Sequence, residues 1–199
     1  MSDTYGSFAE LAMREAEGRD WVRLNLDRGS RLLVMAPHGG WIEPYTTELA
    51  RAIAGEDLSF YTFQGVKDRG NRHLHLTSHR FDEPQALAAA AEVDHVVAIH
   101  GERSGGDAFV MVGGGNDFLT SAMASAVAAA GFSVIEPRSG LGGRNPRNIC
   151  NRGRLGGGVQ LELSEGLRVQ LRENAEDQTR FVEAVRKLLL EVEEEGSRG

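Results

Sequence analysis

Two histidines follow buried apolar runs at the same relative place, which makes them candidates for metal chemistry. His38 comes directly after the run RLLVMAP, and His100 ends the run VVAIH. In an open α/β sheet, the carboxyl ends of the strands meet at one edge, where loops converge over a ligand crevice. Gly39 and Gly40 allow a tight turn that returns Glu43 toward His38. A single histidine after a strand is more often an ordinary loop residue, but two imidazoles with a carboxylate form the ligand set of catalytic zinc sites.

Glu162 is the candidate general base. In the segment VQLEL (159–163), the apolar residues alternate with Gln160 and Glu162, so these two polar side chains share the opposite face of the strand. A carboxylate in a half-buried strand is costly unless it is paired or used. Two interpretations follow: Glu162 forms a salt bridge with a neighbouring arginine, or it takes the proton from a water molecule that attacks the substrate.

Positive charge is concentrated in residues 138–154, which contain five arginines and no acidic residue, although the formal net charge of the chain is −7. The acidic total argues against a general nucleic-acid binder. The local arginine block instead predicts an anionic substrate, with Arg144 and Arg147 as candidate contacts. His79 is a further candidate for substrate contact, whereas His73 and His75 are expected on the solvent-facing side of a strand over 74–77.

The elements that must position these residues alternate short apolar runs with helical patterns, which is typical of an α/β layer fold. The sequence predicts one three-layer α/β/α domain over residues 1–199, with a mixed, largely parallel central sheet and a flexible tail over 193–199. Strands are predicted at 31–36, 58–63, 74–77, 94–99, 109–112, 132–135 and 159–163, and helices at 8–18, 43–55, 83–92, 117–130 and 173–195.

Composition excludes several other classes of protein. No apolar stretch reaches the ~18 residues of a membrane span, and the first 20 residues carry acidic side chains where a signal peptide needs an apolar run. The single Cys150 rules out an internal disulfide framework and a cysteine-rich zinc site. We therefore expect a protein that is cytoplasmic when made and binds neither membrane nor nucleic acid. The sequence leaves the oligomeric state open, with a monomer favoured.

Three segments resemble one known family: APHGGWIEPYTTELA, VVAIHG and NICNRGRLGGGVQLELS. Together they resemble the poly-γ-glutamate hydrolases, small zinc peptidases of phages and bacteria that are related in fold to the zinc carboxypeptidases. The resemblance extends from about Tyr5 to the final helix. It implies one zinc ion held by His38, Glu43 and His100, with Glu162 as the catalytic glutamate. Asn151-Arg152 resembles the Asn-Arg pair with which carboxypeptidase-like enzymes bind substrate carboxylates.

By this resemblance, the substrate is an anionic polymer, poly-γ-glutamate, and the reaction is hydrolysis of its γ-glutamyl amide bonds. Because the chain lacks a secretion signal, action on a capsule polymer would require release from the cell. Trp41 stands where a smaller residue is expected, and we expect it to narrow the pocket or form its wall. We also expect Arg152, rather than Arg168 beyond the catalytic strand, to contribute substrate affinity.

Two alternatives remain at this point. The first is a zinc deacylase that uses the same metal and base on a small N-acylated glutamate in a closed pocket. The second is a non-catalytic module whose arginine loop holds an anionic polymer without cutting it. A dependence of the rate on substrate chain length separates the first alternative from a polymer hydrolase, and metal content separates the second.

Overall fold

A mixed sheet forms the middle layer of the structure, a computed structural model that describes residues 3–196. Its seven strands within those residues are β1 (Trp21–Leu26), β2 (Leu32–Gly40), β3 (Ser59–Gly65), β4 (His95–Gly101), β5 (Val110–Gly114), β6 (Val134–Ile135) and β7 (Val159–Leu163). Their order across the sheet is β1-β3-β2-β4-β7-β5-β6. The central strands β3, β2, β4 and β7 are parallel, while β1 pairs antiparallel with β3 and β5 pairs antiparallel with β7. The carboxyl ends of the four central strands therefore lie at one edge.

Helices cover both faces of the sheet. They are α1 (Phe8–Ala12), α2 (Thr46–Ala54), α3 (Pro84–Ala91), α4 (Asp117–Ala129), α5 (Glu165–Glu173) and α6 (Ala175–Gly196), with short 3₁₀ helices at Asn71–Leu74 and Ile149–Asn151. The apolar faces of α2, α4, α5 and α6 contribute to one core cluster, and those of α1 and α3 contribute to a second. The predicted three-layer α/β/α fold with a largely parallel mixed sheet is confirmed.

Successive side chains of a strand point to opposite faces of the sheet, and this alternation decides which of the two cores each side chain joins. Along β4, Val97 and Ile99 belong to the core of α2 and α6, whereas Val96 and Ala98 belong to the core of α1 and α3. His100 therefore faces the α1 and α3 side. On β7, Leu161 and Leu163 fall in the first core, which leaves Glu162 on the same side as His100. The face assignment made for VQLEL from its alternation is confirmed.

The structure corrects the predicted elements in three places. Residues 74–77 do not form a strand, because Leu74 ends a 3₁₀ helix and the chain beyond it joins no strand. Strand β1 and helix α5 were not predicted. The tail expected from residue 193 is also wrong in part: α6 continues to Gly196, and the Glu193 carboxylate accepts a hydrogen bond of 3.0 Å from the Arg31 amide. Residues 197–199 lie outside the described residues.

A membrane-crossing helix would need a long apolar stretch. Among residues 3–196, none of the helices has the length and apolar character to cross a bilayer.

Candidate metal centre

The turn that follows β2 brings Glu43 back to His38. The pairing of β2 with β3 shifts register between Ala36 and Gly39, and the Glu43 amide donates a 2.8 Å hydrogen bond to the carbonyl of His38. Gly39 and Gly40 are required here. A Cβ on Gly39 would collide with the hydroxyl of Thr47, and Gly40 has a positive φ of 60°. The predicted return of Glu43 by the glycine pair is confirmed.

Three of the predicted site residues meet at the carboxyl end of β2 and β4. The Nδ1 atom of His38 lies 3.0 Å from Oε1 of Glu43 and 3.2 Å from Nδ1 of His100. Nδ1 of His100 lies 3.6 Å from Oε2 of Glu43. The same Oε2 accepts a 2.8 Å hydrogen bond from the amide of Gly101, which fixes the carboxylate between the two strands.

His75 joins this cluster, which the sequence reasoning missed. Its ring lies 4.1 Å from that of His38 between centroids, and its Nε2 lies 3.7 Å from Oε1 of Glu43. His38, Glu43 and His75 each offer a ligand atom within 4.8 Å of the others, so these residues could hold a metal ion. The expectation that His75 lies on the outer, solvent-facing side of a strand is wrong: its side chain is 35% accessible, and it faces a cleft that His38 and Glu43 also line. His73, its predicted neighbour on that side, is exposed at the rim.

The hydrogen bonds made by the other ring nitrogens of His38 and His75 show that these side chains suit a cation. Nε2 of His38 lies 2.7 Å from the carbonyl of Leu76, and Nδ1 of His75 lies 2.9 Å from Oδ1 of Asp3. A carbonyl or carboxylate oxygen only accepts, so these nitrogens donate, and in the neutral rings the other nitrogen presents a lone pair. Metal-binding histidines have this arrangement. The separations of 3.0–3.7 Å also match the ~3.3 Å expected between ligands ~2.0–2.1 Å from a tetrahedral zinc.

Electrostatics keep the carboxylate of Glu43 charged. Burial alone would raise its pKa, but in the metal-free site the charge of protonated His38 and the hydrogen bonds that His100 and His38 then donate hold the pKa well below its usual range. For His75, the charge of His38 and then burial lower the pKa to about 4. The cluster therefore offers an ionised carboxylate and a neutral His75 imidazole at neutral pH, which are the protonation states that bind metal.

Glu162 lies beside the cluster, because β7 pairs with β4 in a register that sets Glu162 opposite His100. Its hydrogen bond comes from an amide, not from an arginine: Nε2 of Gln160 donates to Oε1 of Glu162 over 3.0 Å. Asn148 in turn donates 2.8 Å to the amide oxygen of Gln160. Burial raises the pKa of Glu162 to about 7, with the charge of His100 opposing the shift. A carboxyl group poised near neutrality is suited to accept a proton.

A cleft of about 1010 Å³ opens over these residues. Its walls include Arg72, Arg103, Arg144 and Arg168, together with the predicted contact His79. Of the predicted arginines, Arg144 thus lines the cleft, where it also pairs with Asp117 over 2.8 Å. Positive charge does surround the site, but most of it comes from segments outside the predicted block.

Three other predicted substrate contacts are not brought to the cleft. Arg147 and Arg152 are exposed and are not among the described residues that line it. Asn151 is buried, and its amide is used within the protein: Nδ2 donates to the carbonyls of Gly143 and Asn145, at 2.7 and 2.9 Å. Its Oδ1 accepts from the amides of Gly115 and Gly158. The side chain of Asn151 therefore ties loops together, and its predicted contact with a substrate carboxylate stays a prediction.

Arg168, and not Arg152, lies at the wall of the cleft. It is buried on α5, and its guanidinium donates to the carbonyls of Pro44 over 2.7 Å, Glu102 over 3.1 Å and Leu163 over 3.3 Å. Burial lowers its pKa. The side chain thus joins the turn of Glu43 to the ends of β4 and β7 at the wall of the cleft.

Trp41 does not narrow the pocket, contrary to expectation. Its side chain is exposed, with a relative accessibility of 66%, and it is absent from the described lining of the cleft. The Trp41 amide donates 3.0 Å to the carbonyl of Gly65, which directs the residue outward along the end of β3.

Comparison with known proteins identifies the family. The model of the poly-γ-glutamate hydrolase family matches residues 5–188. The chain belongs to the poly-γ-glutamate hydrolase family. Over 164 residues it is 40% identical to the UPF0714 protein YmaC of Bacillus subtilis (strain 168), covering 81% of this chain and 69% of YmaC.

Two solved structures support the same assignment for this member of the poly-γ-glutamate hydrolase family. A bacteriophage poly-γ-glutamate hydrolase superposes with a TM-score of 0.90 at 28% identity, covering 96% of this chain and 98% of that one. A zinc-free apo structure of YndL superposes with a TM-score of 0.87 at 32% identity, covering 94% and 98%. By family, the chain is a hydrolase, and the fold and the resemblance predicted from its motifs are confirmed.

Proposed function

We propose that the protein is a zinc-dependent hydrolase that cleaves γ-glutamyl amide bonds in poly-γ-glutamate. The observation that carries this proposal is the convergence of His38, Glu43 and His100 at the edge of the sheet, with Glu162 opposite His100 on the next strand. His75 is an additional donor facing Glu43. A zinc ion held by these residues supplies Lewis acidity toward a carbonyl oxygen and lowers the pKa of water.

The protein's own residues supply the proton transfers. Glu162 takes the proton of the attacking water and delivers it to the amine that leaves when the amide bond breaks. The hydrogen bond from Gln160 holds one oxygen of Glu162 in place and leaves the other available for the proton. The buried position of Glu162 excludes bulk water from the carboxylate, which strengthens its interaction with a developing charge.

Binding of the polymer is attributed to the arginines of the cleft. Poly-γ-glutamate carries one free carboxylate per residue, and the planar guanidinium matches a carboxylate through two parallel hydrogen bonds. Arg72 and Arg144 are exposed at the rim, where they can reach side-branch carboxylates. This concentration of cations in a chain of net charge −7 supports an anionic substrate.

The shape of the cleft favours the polymer over a small substrate. A deacylase of a small N-acylated glutamate would be expected to enclose its substrate. The volume of this cleft instead reaches the upper end of the ~300–1,000 Å³ range of drug-sized sites, and exposed arginines stand along its rim. The metal-ligand cluster speaks against a module that only binds polymer, since such a module has no need of these converging donors.

The test compares zinc-depleted and zinc-reconstituted protein on poly-γ-glutamate, with viscosity and free amine as readouts. We expect zinc to restore a fall in viscosity and α-linked polyglutamate to remain uncut. The rate should decrease as sodium chloride rises, because salt screens exposed charges over ~8 Å at physiological ionic strength. Faster cleavage of N-acylated glutamate than of polymer would favour the deacylase. Polymer binding without cleavage in zinc-loaded protein would favour the binding module.

A further inference from the structure

Asp3 lies beside the metal-ligand cluster, although it stands near the beginning of the chain. Its carboxylate is 1% exposed. Oδ1 lies 2.9 Å from Nδ1 of His75, and Oδ2 accepts a 2.9 Å hydrogen bond from the amide of Thr77. Both oxygens of Asp3 are thus used on two residues of one short segment.

The residue between them holds a second histidine of the cluster. The carbonyl of Leu76 lies 2.7 Å from Nε2 of His38. The His75 amide caps the preceding 3₁₀ helix by donating 3.2 Å to the carbonyl of Arg72. Leu76 and Thr77, in contrast, belong to no helix or strand, and their amides lack such a bond. By bridging His75 and Thr77, the carboxylate of Asp3 therefore braces the carbonyl that orients His38.

We propose that Asp3 is a positioning residue of the metal centre, which fixes His75 with Nδ1 protonated and its Nε2 lone pair toward Glu43, and which holds Leu76 against His38. This inference rests on the proposed function in that it assumes a metal-binding role for the cluster. Hydrogen-bond partners of metal-binding histidines set the tautomer and ring orientation, and their loss lowers metal affinity ~10–100-fold.

A neighbouring contact supplies the matched control. Asp82 accepts a 2.6 Å hydrogen bond from the amide of Phe8 at the start of α1, so it also anchors the N-terminal segment. Asp82 is exposed. Asp82→Ala weakens that anchor while leaving the contacts of Asp3 in place, which separates anchoring of the segment from positioning of the histidines.

The experiment combines two measurements on the wild type, Asp3→Ala, Asp3→Asn and Asp82→Ala. Long-range ¹H–¹⁵N spectra of metal-free protein labelled in histidine report the tautomer of His75, assigned with His75→Gln. Zinc affinity is measured by competition with a chelator. We expect wild type and Asp82→Ala to share one fixed His75 tautomer and the same affinity. Asp3→Ala should lose the single tautomer and bind zinc ~10–100-fold more weakly. Asp3→Asn keeps one acceptor oxygen and should fall between them.

The inference is wrong if Asp3→Ala keeps the wild-type tautomer and affinity, if Asp82→Ala loses as much affinity as Asp3→Ala, or if the wild type binds no zinc. A different result overturns the proposed function alone: zinc binding that depends on Asp3, in a protein that does not hydrolyse poly-γ-glutamate. The two conclusions can therefore fail separately.

Discussion

Glu162 combines deep burial with a hydrogen bond from an amide, and its removal should affect catalysis without affecting the metal. We expect Glu162→Gln to retain zinc and to lose ~10²–10⁴-fold in turnover, because a general base contributes that much without ligating the ion. Elemental analysis and steady-state kinetics measure the two quantities. Turnover close to wild type would contradict the assigned role, and loss of zinc would make Glu162 a ligand.

The proposed role of Glu162 predicts the direction in which the rate changes with pH. A base acts when deprotonated, so the rate should fall as pH decreases through the pKa of Glu162. Burial raises that pKa to about 7 in the metal-free site, and the positive charge of a bound ion moves the midpoint lower. The residual rate of Glu162→Gln should not show this fall at low pH, because the variant lacks the titrating carboxylate.

The histidines of the cluster should differ in their contribution to zinc binding. His38 stands between Glu43, His75 and His100. His38→Ala should therefore lower zinc affinity by more than the ~10–100-fold typical of a lost supporting hydrogen bond. Isothermal titration of His38→Ala, His75→Ala and His100→Ala ranks the three. His79→Ala is the control, since His79 lines the cleft outside the cluster. Equal affinity in wild type and His38→Ala would remove His38 from the centre.

Among the individual residues, the sequence predicts four of the five that converge at the edge of the sheet. His38, His100 and Glu162 stand out because each interrupts, ends or follows a buried apolar run, and Glu43 stands out because the glycine turn returns it toward His38. His75 was missed although its pattern was visible. Leu74 and Leu76 are fully buried, so the alternation in LHLT correctly places His75 on the side away from the core, although Leu74 is helical and the segment is not a strand. Periodicity cannot tell whether that other side is solvent or a cleft.

Among the elements, helix α5 connects the parts of the site through Arg168. Arg168→Ala should lower kcat/KM ~10–100-fold, because it removes hydrogen bonds from a charged group to Pro44 and Glu102, on the segments that carry the ligands. Arg168→Lys should not restore the rate, since an ammonium lacks the planar fork. Arg152→Ala is the matched control and should stay within about twofold, which reverses the order expected from the sequence. Circular dichroism confirms that each variant is folded.

The sequence predicts six of the seven described strands, β2 to β7, because each carries a buried or partly buried apolar run. Strand β1 was not predicted because it lies at the edge of the sheet and is only partly buried, so its apolar pattern is weak. Helix α5 begins directly after β7, where Ser164 accepts a hydrogen bond from the Leu167 amide as N-cap. The spacing of Leu167 and Leu171 with that cap is a detectable helix signal.

For the whole molecule, Asp94 links the start of β4 to two distant segments. Its side chain is 10% exposed and contacts Arg31 at 2.5 Å and Arg154 at 2.7 Å. Burial raises its pKa, but the hydrogen bonds from both arginines outweigh this and leave the pKa lowered. Asp94 therefore stabilises the fold above its unfolded pKa of ~3.9, and this stabilisation disappears as pH falls through the folded value.

We accordingly expect Asp94→Asn to lower the free energy of unfolding by about 1–2 kcal/mol at pH 7. The difference from wild type should shrink below about pH 4. Urea denaturation at pH 7 and pH 3 measures it. Asp117→Asn is the control, because its ion pair with Arg144 is largely exposed and should contribute less than about 1 kcal/mol. A difference between wild type and Asp94→Asn that grows on acidification would contradict this account.

The outward position of Trp41 gives the protein a fluorescent reporter next to the turn that carries Glu43. The other indole, Trp21, is 3% exposed and packs against Phe63, so a soluble quencher such as acrylamide scarcely reaches it. Quenching of the emission then reports mainly on Trp41, two residues before Glu43. A polymer chain that crosses this rim shields the indole from the quencher, whereas a ligand confined to the cleft leaves it accessible. The extent of acrylamide quenching can thus distinguish a long polymer from a short ligand in the natural protein, without an attached label.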